Sequence, residues 1–347
     1  VDDVCDLFHE TLTSTRGRRG LGAVDDAPPA AREPMPAPAG EPLGDPRLLE
    51  RLGRHVWSAS SLERWVGCPV AWFVERMLVP EDFDPDPEPL ARGALAHAAL
   101  KDTLEGLRRE TGTARLRPET LELARELLAL ALAEHEPEHG LSVSPQRRTA
   151  LRRRLQVDLE RYLRHAAENE TGLEPAELEL GFGISEGDDR GEPSSLPPFE
   201  LPGAVRLRGR IDRVDVSADG EALVYDYKGG TVVPSARWIK DGKLQLALYM
   251  LAVEALLGMR AAGGFYQPLA GEDLRARGVL DGDSAIAVEC VARDVLEHAQ
   301  VRELLGEAVA AARTAAAEAS RGELQARPDT CAFNGGCKYP TICRCER

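Results

Sequence analysis

Asp212, Asp226 and Lys228 are the residues of this chain whose types and spacing point most directly to chemistry. Residues 218–220, Ala-Asp-Gly, separate two runs rich in Val, Leu and Tyr, which predicts a β-hairpin with glycine at the left-handed position of its loop. In that register Asp212 lies directly across from Asp226, and Lys228 shares a strand face with Asp226 because side chains alternate along a strand. Like charges opposed in this way destabilise a sheet, whereas a divalent cation prefers such oxygen ligands. The spacing therefore predicts a metal-dependent active site.

The elements that position these residues follow from the pattern of apolar residues along the chain. Helices are predicted over residues 58–79, 91–110, 118–135, 145–169, 235–257 and 295–321. Strands are predicted over residues 177–184, in the two arms of the hairpin, over 261–268 and over 286–292, with a long polar loop over 186–202. Ser58 or Ser60 is the predicted N-cap of the first helix. Helix, three antiparallel strands, helix and strand, in this order, predict an α/β fold with a mixed central sheet and an added helical region.

The composition argues against a membrane-spanning or secreted protein. The chain has 347 residues, of which 43% are hydrophobic and 29% charged, as in ordinary soluble globular proteins. No apolar run approaches the roughly 18 residues of a membrane span. The N-terminus lacks the basic and apolar pattern of a secretion signal. We therefore expect a cytoplasmic location and no membrane partner.

The net charge of −15 disfavours a nucleic-acid partner overall, because phosphates attract Lys and Arg. Basic residues are nevertheless concentrated locally. The run of arginines over residues 147–154 is either a surface for DNA or a solvated helix face. The stronger candidates for contacts with a DNA backbone lie on the strand that carries Asp212, and they are Arg206, Arg208, Arg210 and Arg213.

An Asp followed by Asp-x-Lys on the next strand resembles the signature of PD-(D/E)XK nucleases in their RecB-type form. SASSLERWVGCPVAWFVERML resembles the first helical segment of that family, GALAHAAL its helix with a metal-binding His, and QLALYM its Gln-x-x-x-Tyr segment. CAFNGGCKYPTICR resembles the cysteine tail of the iron–sulfur subset, as in AddB-type helicase–nuclease subunits and CRISPR-associated exonucleases. The resemblance covers residues 55–345.

The resemblance implies a restriction-endonuclease-like core and a catalytic cation, Mg²⁺ or Mn²⁺. From the residues alone, His97 continues an apolar helix stripe and fits a buried core histidine. The Gly-x-x-x-His pattern of the family implies instead that its neutral imidazole binds the cation. The implied protein ligands of the cation are His97, Asp212, Asp226 and the backbone carbonyl of Tyr227. Glu179 on the first predicted strand is a candidate for a further acid near the cation, in competition with Glu177.

The implied reaction is hydrolysis of a phosphodiester bond. The cation would lower the pKa of a water and screen charge at the scissile phosphate, and Lys228 would orient that water and stabilise the developing charge. Gln245 and Tyr249 lie four residues apart on one helix face, so both can reach the same site. Without the resemblance these two would be ordinary helix residues. The implied catalytic residues are Asp212, Asp226, Lys228, Gln245 and Tyr249.

The cysteines form a second constellation. Seven are present, and an odd number in a cytoplasmic chain argues against a disulfide framework. Four of them offer thiolates that fit either a zinc site or a [4Fe–4S] cluster. The resemblance implies the [4Fe–4S] cluster, with Cys68, Cys331, Cys337 and Cys343 as its ligands. Five residues separate the first two tail cysteines where the family has two, so Cys345 is an alternative to Cys331. The cluster would act as a structural staple.

The expected organisation is the end of a preceding region (1–24), a linker with seven prolines (25–46) and a nuclease domain (55–347). The chain does not begin with Met, and its first residues resemble the middle of a helix. We therefore expect a C-terminal part of a longer protein with a helicase-like region upstream.

The function that these features predict is a metal-dependent DNA exonuclease acting on single-stranded ends, as the nuclease module of a helicase–nuclease for double-strand-break repair. Three alternatives stay open at this point. They are a free-standing exonuclease of the CRISPR-adaptation type, a DNA-binding module with an inactive site, and a zinc-stapled structural protein.

Overall fold

The computed structural model describes residues 42–79, 88–185, 194, 196–230, 232–327 and 339. The predicted preceding region (1–24), most of the predicted linker, and the tail cysteines Cys331, Cys337, Cys343 and Cys345 lie outside the described residues. The described residues all belong to one compact unit. Within these ranges, no helix combines the length and the apolar character needed to cross a membrane.

Helices and strands are interleaved along the described chain. The helices are α1 (Pro46–Gly53), α2 (Ala59–Gly67), α3 (Pro69–Phe73), α4 (Glu88–Thr111), α5 (Leu121–His139), α6 (Pro145–Glu168), α7 (Gln245–Leu257) and α8 (His298–Ser320). The strands are β1 (Trp57–Ser58), β2 (Glu174–Phe182), β3 (Phe199–Leu201), β4 (Val205–Val216), β5 (Glu221–Lys228), β6 (Arg260–Pro268), β7 (Arg277–Asp281) and β8 (Val295–Leu296). A π-helical turn, Val74–Leu78, extends α3. A 3₁₀ turn, Pro118–Thr120, precedes α5.

The strands form one mixed sheet in the order β1-β4-β5-β6-β7-β8, with β2 and β3 also paired to β4. Strand β4 is antiparallel to both β2 and β5. Strand β6 follows α7 and runs parallel to β5, as expected for a crossover connection through a helix. The predicted α/β class, with a helix, three antiparallel strands, a helix and a strand, is therefore confirmed.

Two helical layers cover the sheet. Helices α2, α7 and α8 pack on one side, in a core that includes the fully buried Trp65, Met250 and Ala308. Helices α4, α5 and α6 form the predicted helical region, with a core of their own that includes Leu100. That second core also contains Tyr227 from β5, so the helical region packs against the end of the sheet where the predicted site lies.

Several predicted elements have different bounds in the structure. The helix predicted over 235–257 begins only at Gln245, because a 3₁₀ turn and Gly242 with φ of +64° interrupt the helical path. The first helix stops at Cys68, whose extended backbone separates α2 from α3. The predicted polar loop contains β3, whose Phe199 and Leu201 are buried against β4.

Residues 286–292, predicted as a strand, form none, and a 3₁₀ turn begins at the last of them. The sheet continues beyond β6 with two strands that were not predicted. They are β7, whose Val279 and Leu280 are buried, and β8, the first two residues of the predicted last helix.

Candidate active site

The β4–β5 hairpin has the predicted register. Arg213 pairs with Tyr225 and Val216 with Ala222, so the numbers of opposed residues have the same sum throughout. The loop closes with the N–H of Ser217 donating to the carbonyl of Glu221 at 2.8 Å. Gly220 has φ of +81°, a left-handed value that glycine adopts without a steric penalty. This register places Asp212 and Asp226 across from each other, one step beyond the last ladder pair.

At that step a side chain replaces the backbone ladder. The N–H of Tyr227 donates to Oδ2 of Asp212 at 2.6 Å, and the described strand pairing stops at Arg213 and Tyr225. The carboxylate of Asp212 therefore lies between β4 and β5. Asp212 and Asp226 are both buried, at 7% and 2% exposure. Two buried acids at the end of a hairpin need either protons or a cation to offset their charge.

His97 and Glu179 complete an acidic cluster around Asp212. Nδ1 of His97 lies 3.3 Å from Oε1 of Glu179 and 3.4 Å from Oδ1 of Asp212. His97 is contributed by α4 and Glu179 by β2, where the flanking pairs Leu178–Arg213 and Leu180–Ile211 place Glu179 opposite Asp212. The structure thus brings Glu179 to the cluster. The competing candidate, Glu177, pairs with Val214 further along the strand.

The backbone of Glu179 has φ of +52°, although the residue is not glycine. Such left-handed residues cost free energy within a strand and concentrate at functional sites. The three donor atoms of His97, Glu179 and Asp212 lie within 4.8 Å of one another.

Lys228 extends the site along β5. Its ammonium forms an ion pair with Asp226, and Nζ donates to Oε1 of Gln245 at 3.3 Å. The same Nζ lies 5.2 Å above the ring of Tyr266 on β6, within cation–π range. The side chain of Lys228 is 40% exposed, so its charged end reaches solvent at the mouth of the site.

Gln245 and Tyr249 lie on the first turn and a half of α7. Tyr249 is buried, and it is hydrogen-bonded to the side chain of Gln245 and the backbone of Arg210. Burial, followed by the charge of Asp226, raises the pKa of Tyr249, which keeps its hydroxyl protonated. The structure therefore brings together Asp226, Lys228, Gln245 and Tyr249, four of the residues that the resemblance assigns to the site.

Two further groups of the site, Asp226 and His97, also have shifted pKa values. Burial raises the pKa of Asp226 to about 7, the charge of Asp212 acts in the same direction, and the ammonium of Lys228 counteracts both. Burial lowers the pKa of His97, but hydrogen bonds to Asp212 and Glu179 outweigh it and raise the pKa to about 10. The cluster thus holds protons that a cation would displace.

The donor set fits a hard divalent cation. One imidazole nitrogen and several carboxylate oxygens converge here, which are ligands that Mg²⁺ and Mn²⁺ accept. Ionised Asp226 is unfavourable in this buried position even beside Lys228, and the additional positive charge of a cation would reduce that cost. The hydroxyl end of Tyr227 points away from the acids and accepts from Arg213 at 3.2 Å, which leaves only backbone atoms of Tyr227 for the cation.

Glu63 and Tyr266 are site neighbours that the sequence analysis missed. Oε1 of Glu63 accepts from the N–H groups of Leu244 and Gln245, although Glu63 lies on α2, far away in sequence. Tyr266 is the strand partner of Asp226 on β6. Glu63 lies in the first helical segment quoted above, but no pattern in that segment singles it out, and Tyr266 belongs to none of the quoted motifs. Tyr266 could have been identified only by predicting that the strand after α7 pairs with β5 and in which register.

One of the predicted DNA contacts is wrong. Arg213 is 9% exposed, and its guanidinium lies against Asp215, Tyr162 and Tyr227 within the helical layer. Its separation from Asp215 is 2.8 Å. A buried ion pair cannot reach a DNA backbone. Arg206 is exposed, so the prediction stands for it.

The basic run over 147–154 is partly neutralised by ion pairs. Arg147 pairs with Glu88, and Arg152 lies 3.3 Å from Glu136. This pairing favours the solvated helix face over a surface for DNA.

Cys68 is buried at the junction of α2 and α3. Next to it, Arg64 forms a two-point ion pair with Glu75, with both N–O distances at 2.7 Å. The hydroxyl of Tyr339 donates to the same Glu75 at 3.4 Å. Tyr339, two residues after Cys337 in sequence, therefore contacts the ion pair beside Cys68.

Known proteins resemble this chain over most of its length. The family model of the PD-(D/E)XK nuclease superfamily matches residues 56–344. Proteins named as a subunit of an ATP-dependent helicase/deoxyribonuclease are similar in sequence. The one from Desulforudis audaxviator is 33% identical over 249 residues, which are 65% of this chain and 20% of that protein. The one from Symbiobacterium thermophilum is 35% identical over 261 residues, 66% of this chain and 21% of that protein.

A third relative of the same name, from Lacticaseibacillus casei, is 32% identical over 196 residues, 53% of this chain and 16% of that protein. The chain thus spans about a fifth of the length of the first two relatives. The family match includes the hairpin acids, the lysine and the histidine helix described above. On this match and this fold, the chain belongs to the PD-(D/E)XK nuclease superfamily.

Proposed function

We propose that this chain is a metal-dependent deoxyribonuclease that hydrolyses phosphodiester bonds at single-stranded DNA ends. The observation that carries the proposal is the convergence of His97, Glu179 and Asp212 beside the Asp226–Lys228 pair. We further propose that it works as the nuclease module of a helicase–nuclease that processes double-strand breaks. The names of the relatives, each a helicase/deoxyribonuclease subunit, support this second step.

The residues that would hold the cation are His97, Asp212, Asp226 and the backbone carbonyl of Tyr227, with Glu179 as a further carboxylate. When bound, Mg²⁺ or Mn²⁺ supplies an acidified water and neutralises charge at the scissile phosphate. The carboxylate of Asp212 is held in one orientation, because its Oδ2 accepts a hydrogen bond from the N–H of Tyr227. Its Oδ1 faces His97.

Lys228 is the cationic group of the reaction. Its ammonium reaches solvent between Asp226 and Gln245, so it can donate to a phosphate oxygen as negative charge develops there. Gln245 holds the ammonium from α7, and Tyr249 holds Gln245 in turn. The protein therefore supplies a pre-oriented ammonium group, Lys228, as well as the ligands of the metal ion.

For Cys68 we propose ligation of a [4Fe–4S] cluster together with Cys331, Cys337 and Cys343. Two observations support it. Cys68 is buried at the junction of α2 and α3, beside the guanidinium of Arg64. Tyr339, between the second and third tail cysteines, contacts Glu75 in the same cluster of side chains. Such a cluster would tie the α2–α3 junction to the C-terminus.

End-labelled single-stranded DNA tests the nuclease directly. Anaerobically purified protein is incubated with Mg²⁺ or with Mn²⁺, next to Asp226→Ala and to Asp273→Ala, a control that removes an exposed acid. We expect metal-dependent shortening by the wild type and by Asp273→Ala, and none by Asp226→Ala. Labelling either end in turn gives the polarity, and a duplex of the same sequence gives the strand preference. No cleavage by folded protein with either metal would reject the proposal.

A further inference from the structure

Helix α7 begins without a capping side chain of its own. Its N-cap residue is Leu244, which has no hydrogen-bonding atom in its side chain. The first N–H groups of a helix have no partner within the helix, and they are normally satisfied by Ser, Thr, Asp or Asn at the N-cap. The helix nevertheless starts at Gln245, the residue that holds Lys228.

Glu63 supplies the missing cap from another helix. Its Oε1 accepts from the N–H of Leu244 at 2.8 Å and from the N–H of Gln245 at 3.0 Å. Its negative charge also suits the positive end of the helix dipole. The other oxygen lies 3.4 Å from the ammonium of Lys243. The side chain of Glu63 is 15% exposed, so these contacts are largely shielded from water.

Glu63 is itself held rigidly. It lies on α2 between the fully buried Leu62 and Trp65, and the hydroxyl of Ser58 accepts from the N–H of Ser61 at the start of that helix. A rigid carboxylate that accepts two consecutive N–H groups fixes both the position and the rotation of the first turn of α7. The side chain of Gln245 leaves the helix from that turn.

From these contacts we infer that Glu63 is a positioning residue for Lys228, acting through Gln245. The inference rests on the proposed nuclease function. The path is continuous: Glu63 binds the backbone of Gln245, Oε1 of Gln245 accepts from Lys228, and Lys228 pairs with Asp226. Glu63 does not touch substrate in this scheme. It sets the direction in which the ammonium meets the scissile phosphate.

Steady-state cleavage of single-stranded DNA tests the path with five variants. Glu63→Ala should lower kcat about 10- to 100-fold with KM unchanged, since a small misplacement of a reacting group has that effect. Glu63→Gln keeps an oxygen acceptor for the two N–H groups and should stay within about threefold of the wild type. Lys243→Met, which removes only the partner of the second oxygen, should behave like the wild type.

The other two variants, Gln245→Ala alone and Gln245→Ala combined with Glu63→Ala, complete a double-mutant cycle. If Glu63 acts through Gln245, then Glu63→Ala combined with Gln245→Ala should be no slower than Gln245→Ala alone. Multiplied losses would overturn the inference, as would a rise in KM with kcat intact. Thermal melts of each variant show whether a loss of activity comes from unfolding. If Glu63→Ala is less stable than the wild type, Glu63→Gln should be as stable as the wild type.

A second readout does not depend on cleavage. Competitive acetylation of the lysines, followed by mass spectrometry, reports how accessible each lysine side chain is to the reagent. Glu63→Ala and Gln245→Ala should raise the reactivity of Lys228 by the same factor, and Lys243→Met should leave it unchanged. Unchanged reactivity of Lys228 in Glu63→Ala would overturn the inference. Absence of cleavage by the wild type, with these changes still present, would reject the nuclease and not the positioning.

Discussion

The carboxylate of Asp212 accepts a hydrogen bond from the backbone N–H of Tyr227 at 2.6 Å, at the step where β4 and β5 stop pairing. The side chain of Asp212 thus accepts the hydrogen bond from Tyr227 that a backbone carbonyl of the paired strand would otherwise accept. Its other oxygen faces His97. Asp212 therefore fastens the hairpin and serves the site at once.

These two roles of Asp212 can be separated by substitution. Asp212→Asn keeps an oxygen that accepts from Tyr227, whereas Asp212→Leu leaves a buried N–H without a partner. We expect both variants to lose cleavage, but only Asp212→Leu to lose about 1–3 kcal/mol of unfolding free energy. Urea unfolding without metal measures the difference. Equal stability of the two variants would show that the hydrogen bond does not hold the hairpin.

Asp226 makes the stability of the metal-free protein depend on pH. Its pKa is raised from 3.8 to about 7, so the folded state holds this proton more tightly than the unfolded state. Stability is therefore lost as pH rises from about 4 to 7. Asp226→Asn should be more stable than the wild type at pH 8, by on the order of 2 kcal/mol, and should show no such gain at pH 4.

Unfolding in EDTA at both pH values measures this effect. Asp273→Asn is the matched control, because the pKa of Asp273 is lowered to about 2 by Arg275 and it does not titrate in this range. The prediction fails if Asp226→Asn shows the same pH dependence as the wild type.

His97 should release a proton when the cation binds. Its pKa of about 10 means that the metal-free protein carries an imidazolium at neutral pH, which stabilises the fold below pH 6.5 and ceases to do so as pH approaches 10. A metal ligand must be the neutral imidazole. Titration calorimetry with Mn²⁺ in buffers of different ionisation enthalpy counts the protons released.

We expect His97→Asn to release about one proton fewer than the wild type, and to bind Mn²⁺ more weakly. His135→Asn is the control, since His135 pairs with Asp102 at 2.6 Å outside the site. An unchanged proton count in His97→Asn would remove His97 from the ligand set.

Cys68 and Cys290 form a matched pair for the proposed iron–sulfur cluster. Both are present as thiols within the described chain, but burial raises the pKa of Cys290, which disfavours a thiolate there. Cys68→Ala should lose iron and visible absorption, with a melting temperature lowered by roughly 10 °C. Cys290→Ala should keep both. Full iron content in Cys68→Ala would contradict the proposed ligation.

Arg213 and Asp215 should stabilise the helical layer as a pair. Removing one partner of a buried ion pair leaves an uncompensated charge, so Arg213→Met should cost about 3–5 kcal/mol of unfolding free energy. Combining it with Asp215→Leu should recover most of that loss. Arg302→Ala, which breaks an exposed pair with Glu254, should cost less than about 1 kcal/mol. A small effect of Arg213→Met alone would show that water reaches the pair.

Local patterns predicted the centre of the site because its geometry is local. The three-residue loop ending in Gly220 fixes the hairpin register, and the register places Asp212 across from Asp226. Alternation along β5 then puts Lys228 beside Asp226, and the two form an ion pair. Ser58 caps α2 as predicted, because its hydroxyl is three residues from the N–H that it binds.

What the sequence did not predict depends on contacts between distant segments. Glu63 and Leu244 are far apart in sequence, and nothing in either segment shows that one caps the other. Arg213 sits among other strand arginines, and only the packing of Tyr162 from α6 shows that it is buried. The predicted start of α7 is too early because residues 235–237 do turn helically, but as a separate 3₁₀ turn.

At position 179, selection for stability and selection for DNA cleavage would favour different residues, because the backbone of Glu179 is left-handed. A φ of +52° costs most residues roughly 1–2 kcal/mol, and glycine adopts it without that cost. A library screened only for yield or heat resistance would therefore accumulate glycine at position 179, while one screened for DNA cleavage would retain the acid. Engineering this domain for robustness would then erode its chemistry at a residue whose backbone is strained.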